Sequence, residues 1–185
     1  MSYDEAFDIF ESKRYVDGAV AIKSNAPYGD DHEPTYTAPA GVSDIECLYT
    51  DFGLSCEVTT LTGRDQWFNE GQPVMRHLRD FENKNNDVEN FCLFIAPKIH
   101  QDTLNTFWIA VKHEYEGKKQ KIIPITISML IKILDKCKLA KEQNHKVTAN
   151  EMKNFYINCT NVDNLNNSFE WYDVIKEQVE KLQFA

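Results

Sequence analysis

Apolar residues recur along this chain in two rhythms, and the change from one to the other marks its elements. Between Gly41 and Thr60 two short runs rich in Val, Ile, Leu, Tyr and Cys flank Thr50-Asp51-Phe52-Gly53. That composition suits a pleated, mostly buried sheet. It predicts a β-hairpin with Asp44 opening the first arm, a turn over 50–53 and a second arm over 54–60. Phe91-Cys92-Leu93-Phe94-Ile95-Ala96 is a continuous apolar run of strand length. Ile122 to Thr126 is a shorter one, whose Pro124 predicts an edge position or a bulge.

Elsewhere the rhythm is helical. Residues 2–12 place Ala6, Phe7, Ile9 and Phe10 behind a Ser2-x-x-Glu5 capping box. Thr62-x-x-Asp65 is a cap candidate for a helix reaching Glu82, with a fresh start near Gln72 as an alternative because Pro73 suits a first turn. A further helix begins at Gln101 and turns Leu104, Phe107, Trp108 and Val111 inward. Others cover 128–141, the stretch after the Thr148-x-x-Glu151 cap, and 168–182. Residues 15–22 read as a short strand or a helix extension. Asn25 to Pro34 is a loop by composition, and its His32 reads as a solvated residue. The order is helix, hairpin, helix, strand, helix, strand, then helices. It predicts an α/β fold, a mixed β-sheet flanked by helices. The whole of 1–185 is expected to be one domain, with a core over about 41–126 and C-terminal helices over 127–185 that pack or bind a partner.

Composition narrows the picture. At 185 residues the chain is long enough for a real core. Its formal charge of −9 is the wrong sign for a free DNA binder. Gly117-Lys118-Lys119-Gln120-Lys121 is the densest positive cluster. The odd count of five Cys without a CxxC pair predicts neither zinc nor a disulfide framework, and favours a reducing cytoplasm. No apolar run approaches the roughly 20 residues that span a membrane, so no membrane partner is expected. No P-loop is present, so neither is a nucleotide cofactor.

The candidate chemistry lies in the hairpin. Period-two alternation puts Asp44 and Glu46 on one face of the first arm, and Ser55, Glu57 and Thr59 on one face of the second. Antiparallel pairing then brings Asp44 and Glu57 together. Two carboxylates among apolar residues call for a compensating cation, and their hard oxygens suit Mg²⁺. Asp51 is the fallback acid if the register differs. The following helix offers Gln72, Arg76 and His77 to the site, and Arg64 to phosphate. Lys98, beyond the apolar strand, is a candidate for the positive group.

Asp44-x12-Glu57-x-Thr59 resembles the metal-binding core of the PD-(D/E)XK nucleases. A longer set of words narrows the likeness: Gly41-x-x-Asp44-Ile45-Glu46, Asp51-Phe52-Gly53-Leu54, Glu57-Val58-Thr59, Gly63-Arg64-Asp65-Gln66-Trp67 and Gly71-Gln72-Pro73-Val74-x-Arg76-His77. With these the chain is similar to the AlwI-like group of type IIS restriction endonucleases. The resemblance implies a restriction-endonuclease-like core. It also implies a site in which Asp44, Glu57 and the Val58 carbonyl hold Mg²⁺. Thr59, Gln72, Arg76 and His77 would position water or phosphate, and Glu11 or Asp8 of the first helix would lie beside the metal. Thr59 stands where the broader superfamily has Lys, as it does in the AlwI-like relatives. The substrate implied is double-stranded DNA, cut in one strand. A larger subunit would read an asymmetric site and nick the other strand. A stand-alone homodimeric repair or junction nuclease, and an inert assembly subunit, remain open as alternatives.

Overall fold

The computed structural model describes residues 16–17, 19–25 and 41–184. The expected first helix, with Glu11 and Asp8, and the segment holding His32 lie outside them. Five strands form the main sheet: β2 (Ala19–Ser24), β3 (Ile45–Tyr49), β4 (Phe52–Val58), β5 (Glu89–Ala96) and β6 (Ile122–Thr126). They lie side by side in that order. The β2/β3 and β3/β4 pairs are antiparallel, and β4/β5 and β5/β6 are parallel. The sheet is therefore mixed, and β2 shows the stretch read as a short strand or a helix extension to be a strand. Two short strands, β1 (Val16–Asp17) and β7 (Val147–Thr148), pair in parallel apart from it.

The hairpin is tighter than its composition predicts. Phe52 and Gly53 belong to β4, so only Thr50 and Asp51 separate the arms. Phe52 is fully buried and stacks on Tyr49 at 4.3 Å, and a buried aromatic does not stay in a solvated turn. Gly53 is needed for a close approach. A Cβ there would run into Asn90 Oδ1 and lie 2.8 Å from the Phe81 ring.

Helices cover both faces: α1 (Arg64–Lys84), α2 (Gln101–Lys112), α3 (Ile127–Glu142), α4 (Ala149–Thr160) and α5 (Ser168–Lys181). Phe94 meets Phe107 of α2 at 5.1 Å, whereas Phe91 meets Tyr156 of α4 at 5.5 Å. Three residues apart on a strand, the two rings point to opposite faces. The C-terminal helices contribute to the core, with Trp171, Ile175 and Val179 of α5 fully buried. Thr148 and Glu151 form the expected capping box, and Pro124 sits on the edge strand β6. Among the described residues no helix is long and apolar enough to cross a membrane.

Helix α1 runs unbroken through Pro73, and its N-cap is Gly63 rather than Thr62. Trp67 Nε1 donates to Thr106 Oγ1 of α2 at 3.0 Å, and the buried Gly71 leaves room for the Trp67 ring, which a Cβ there would approach to 3.3 Å. Gln66, fully buried, ties three backbones together. Its Nε2 donates to the carbonyls of Leu61 (2.6 Å) and Lys98 (2.8 Å), and its Oε1 accepts from the His100 N–H (2.8 Å). One amide thus fixes the loops that follow β4 and β5 against α1. Gln66→Leu, which keeps the volume and strands three backbone groups, is expected to lower unfolding free energy by at least about 2 kcal/mol. Urea denaturation checks this; an unchanged midpoint would remove Gln66 from the scaffold.

Candidate active site

The site grows from the open end of the hairpin. The β3/β4 ladder has its last rung at Ile45 and Cys56, which leaves Asp44 beside Glu57. Asp44 turns its carboxylate onto the neighbouring strand, where Oδ2 accepts from the Val58 N–H at 2.7 Å. Glu57 is buried at 6% exposure. Its Oε1 lies 3.0 Å from Nδ1 of His77 on α1. With its proton on Nδ1, the ring donates to the carboxylate and keeps Nε2 as an acceptor.

Burial pushes the Glu57 carboxyl above its ordinary value, and the charge of Asp44 adds to that. The hydrogen bond and charge of His77 pull the other way, as does the hydroxyl of Ser43. A third acid joins them. Glu70 of α1 is also raised, first by burial and then by Asp44, while a hydrogen bond from the Thr59 hydroxyl and the nearby His77 lower it. Thr59 itself is buried, and its oxygen accepts from the Leu61 N–H at 3.2 Å. Its N–H donates to the Ile95 carbonyl at 3.0 Å, which anchors the end of β4 on β5. The residue in the expected lysine position is thus a buried hydroxyl close enough to Glu70 to lower its carboxyl.

The structure brings Asp44, Glu57, Val58, Thr59 and His77 together. It does not bring Gln72 or Arg76 to them. Glu70 and His77, seven apart, share one helix face, whereas positions 72 and 76 lie well round the axis and are exposed. Arg76 instead lies near Tyr115, whose hydroxyl feels its charge. Glu46 pairs with Ser55, on the face that carries Glu57. Lys98 is exposed, its carbonyl bound to Gln66. Asp51 is at the opposite end of the hairpin, bonded to Lys153 at 3.1 Å. The basic turn is matched internally: Lys118 reaches Glu82, Lys119 reaches Asp163, and Lys121 reaches Glu89. All five Cys are free and buried, which leaves no accessible thiol nucleophile.

Sequence reasoning missed Glu70. It lies 13 residues after Glu57 and two helical turns before His77, on the helix that was expected to reach Glu82, but no local signal sets it apart from the other acids of that helix.

The family profile of the AlwI restriction endonuclease matches residues 19–133. The chain belongs to the AlwI restriction endonuclease family. No curated protein shows a significant match to it. Among solved structures, its fold is similar to the crystal structure of the small subunit (R.BspD6I2) of the heterodimeric restriction endonuclease R.BspD6I. The TM-score is 0.73 at 20% identity, over 95% of this chain and 90% of that one. The stretch matched by the AlwI family contains Asp44, Glu57, Thr59, Glu70 and His77, the group just described.

The donor chemistry of this group fits a hard cation. Glu57 and Glu70 are each raised first by burial and then by the charge of Asp44, which a divalent ion would relieve. Among the described residues no three His, Cys, Asp or Glu side chains stand in position to share one ion. Asp44 and Glu57 are instead occupied by Val58 and His77.

The raised Glu57 carboxyl fixes the sign of a pH effect. Folding favours its protonated form, so its contribution is complete below the ordinary value of 4.5 and is lost as pH rises through the higher folded value. In metal-free buffer, wild-type stability is expected to fall relative to Glu57→Gln as pH rises from about 4.5 towards neutrality. Urea unfolding across that range measures it, and parallel curves for the two proteins would contradict the assignment.

Proposed function

We propose that this chain is the metal-dependent, strand-cleaving small subunit of a heterodimeric type IIS restriction endonuclease acting on double-stranded DNA. One observation carries the reading: Asp44 stands beside Glu57 at the open end of the hairpin and Glu57 is bonded to His77 of α1, in a chain of the AlwI family. The reaction is hydrolysis of one phosphodiester, with water attacking phosphorus and the 3′-oxygen leaving. The products are a 5′-phosphate and a 3′-hydroxyl.

Asp44, Glu57 and the Val58 carbonyl would hold Mg²⁺, with Glu70 beside them. When bound, the ion acidifies water and offsets the charge that develops on the phosphoryl oxygens. The chain's own groups orient the rest. His77, held by Glu57 through Nδ1, offers Nε2 to the proton of the attacking water. Thr59 fixes Glu70. Gln72, Arg76 and Arg64, on the outer side of α1, and Glu11 from the first helix are assigned to phosphate contact and to the metal's surroundings, as the resemblance implies.

The partition of labour follows from charge. The net charge is −9, and the lysines of the basic turn are matched to acids of the same chain. Grip on DNA and reading of the asymmetric site therefore fall to a larger partner, which nicks the opposite strand. Residues 41–126 form the catalytic core of a single nuclease domain, and the helices of 127–185 support it or meet that partner. The setting is a reducing cytoplasm.

The test is strand-resolved cleavage by the reconstituted heterodimer. Asp44→Asn in this chain is expected to slow one nick by at least about 100-fold, the scale of losing a group that stabilises transition-state charge, and to leave the other nick intact. Cleavage of both strands at wild-type rates would defeat the reading.

A further inference from the structure

The segment that carries Asp44 is held from one place. Strand β2 pairs its last residue, Ser24, with Ile45. Asn25 then extends the ladder by two bonds. Its backbone N–H donates to the Asp44 carbonyl at 2.8 Å, and its side-chain Nδ2 donates to the Ser43 carbonyl at 2.7 Å. The side-chain amide supplies the donor that a further strand residue would supply, so a single residue fixes two consecutive carbonyls.

That matters because Asp44 lies outside β3 and gains no rung from β4. Among the described residues, this clamp holds its backbone and the Val58 N–H holds its carboxylate. The clamp orients Ser43 as well. The Ser43 hydroxyl is buried at 1% exposure and reaches toward Glu57 without closing a full hydrogen bond. A buried hydroxyl left open beside two acids is costly in a site with no incoming polar group, and is accounted for where a hydrated ion completes its bonding.

We propose that Asn25 is a positioning residue for the acid cluster: its side-chain amide sets the backbone of Ser43 and Asp44 so that the hydroxyl of one and the carboxylate of the other both face Glu57. The inference rests on the reading of Asp44 as a metal-holding acid. Asn25 itself touches neither metal nor DNA. Its removal acts as the loss of an outer partner of a metal ligand does, through orientation.

The experiment compares wild type, Asn25→Ala, Asn25→Asp and Asp44→Asn as the intact chain. Magnesium binding is measured by isothermal titration calorimetry, and melting is followed in EDTA. Asn25→Asp keeps the shape of the side chain and sets a carboxylate oxygen against the Ser43 carbonyl. Both Asn25 variants are expected to melt cooperatively as wild type does and to bind magnesium about 10-fold more weakly or worse. In the reconstituted heterodimer they lower kcat for one nick and leave KM for DNA unchanged, a split that a merely structural role does not produce. If both Asn25 variants bind magnesium as wild type does while Asp44→Asn does not, the positioning role is wrong and the reading of Asp44 stands. If Asp44→Asn also binds as wild type does, the reading of the site fails, and this inference with it. Loss of the cooperative melt in both Asn25 variants assigns the amide to the fold and overturns the proposal.

Discussion

A single bond between a backbone amide and a carboxylate organises this molecule: the N–H of Val58 donates to Asp44. A carboxylate beside buried strands is costly unless donors meet it, and a charged acceptor on an amide is among the stronger hydrogen bonds. The bond spans the two arms of the hairpin where their ladder has ended. It depends on a register in which Ile45 faces Cys56, because a one-residue slip would turn every side chain of an arm to the other face. With that register, Asp44 and Glu57 look toward α1. There His77 meets Glu57, and Glu70 meets the Thr59 hydroxyl. The remaining scaffold holds these two elements, hairpin and helix, in one relation. Gln66 locks the loops beneath them, Thr59 is tied to β5, and Asn25 fixes the approach to Asp44.

The electrostatics divide in the same way. Acids lie at one end of the hairpin, where burial first and the charge of Asp44 second raise Glu57 and Glu70. Lysines are matched elsewhere: Lys153 bonds Asp51 and reaches Glu89 at the hairpin's other end, and Lys118, Lys119 and Lys121 each find an acid. The buried Arg79 joins Glu82 to the carbonyls of Tyr115 and Lys118. Cationic groups thus stitch the fold together, away from the acids at the open end of the hairpin.

How much of this was legible in the residues depends on which force decided each element. The hairpin, the apolar strand β5, the edge strand with Pro124 and the capping box at Thr148 announce themselves locally, because composition and capping chemistry fix them. The acid pair was legible for the same reason, since alternation on two short arms leaves little freedom. The misses lie where tertiary packing wins. Phe52 joins its strand because Tyr49 and the core take its ring. Glu70 lies on a helix that was legible, yet among that helix's acids nothing local marks it until Asp44 and Thr59 come near it. Gln66 and the Asn25 clamp carry no local signal, for a buried amide shows its purpose only through partners distant in the chain.

The central claim is that these acids gather to take a divalent ion, and the most direct measurement is anomalous diffraction from crystals of the chain equilibrated with manganese, a spectroscopically visible substitute for magnesium. The account predicts an anomalous peak with oxygens of both Asp44 and Glu57 at about 2.0–2.2 Å, near the spacing of a small divalent ion to its oxygen ligands. Crystals saturated with manganese whose map is empty there, with Asp44 still on Val58 and Glu57 still on His77, would contradict it.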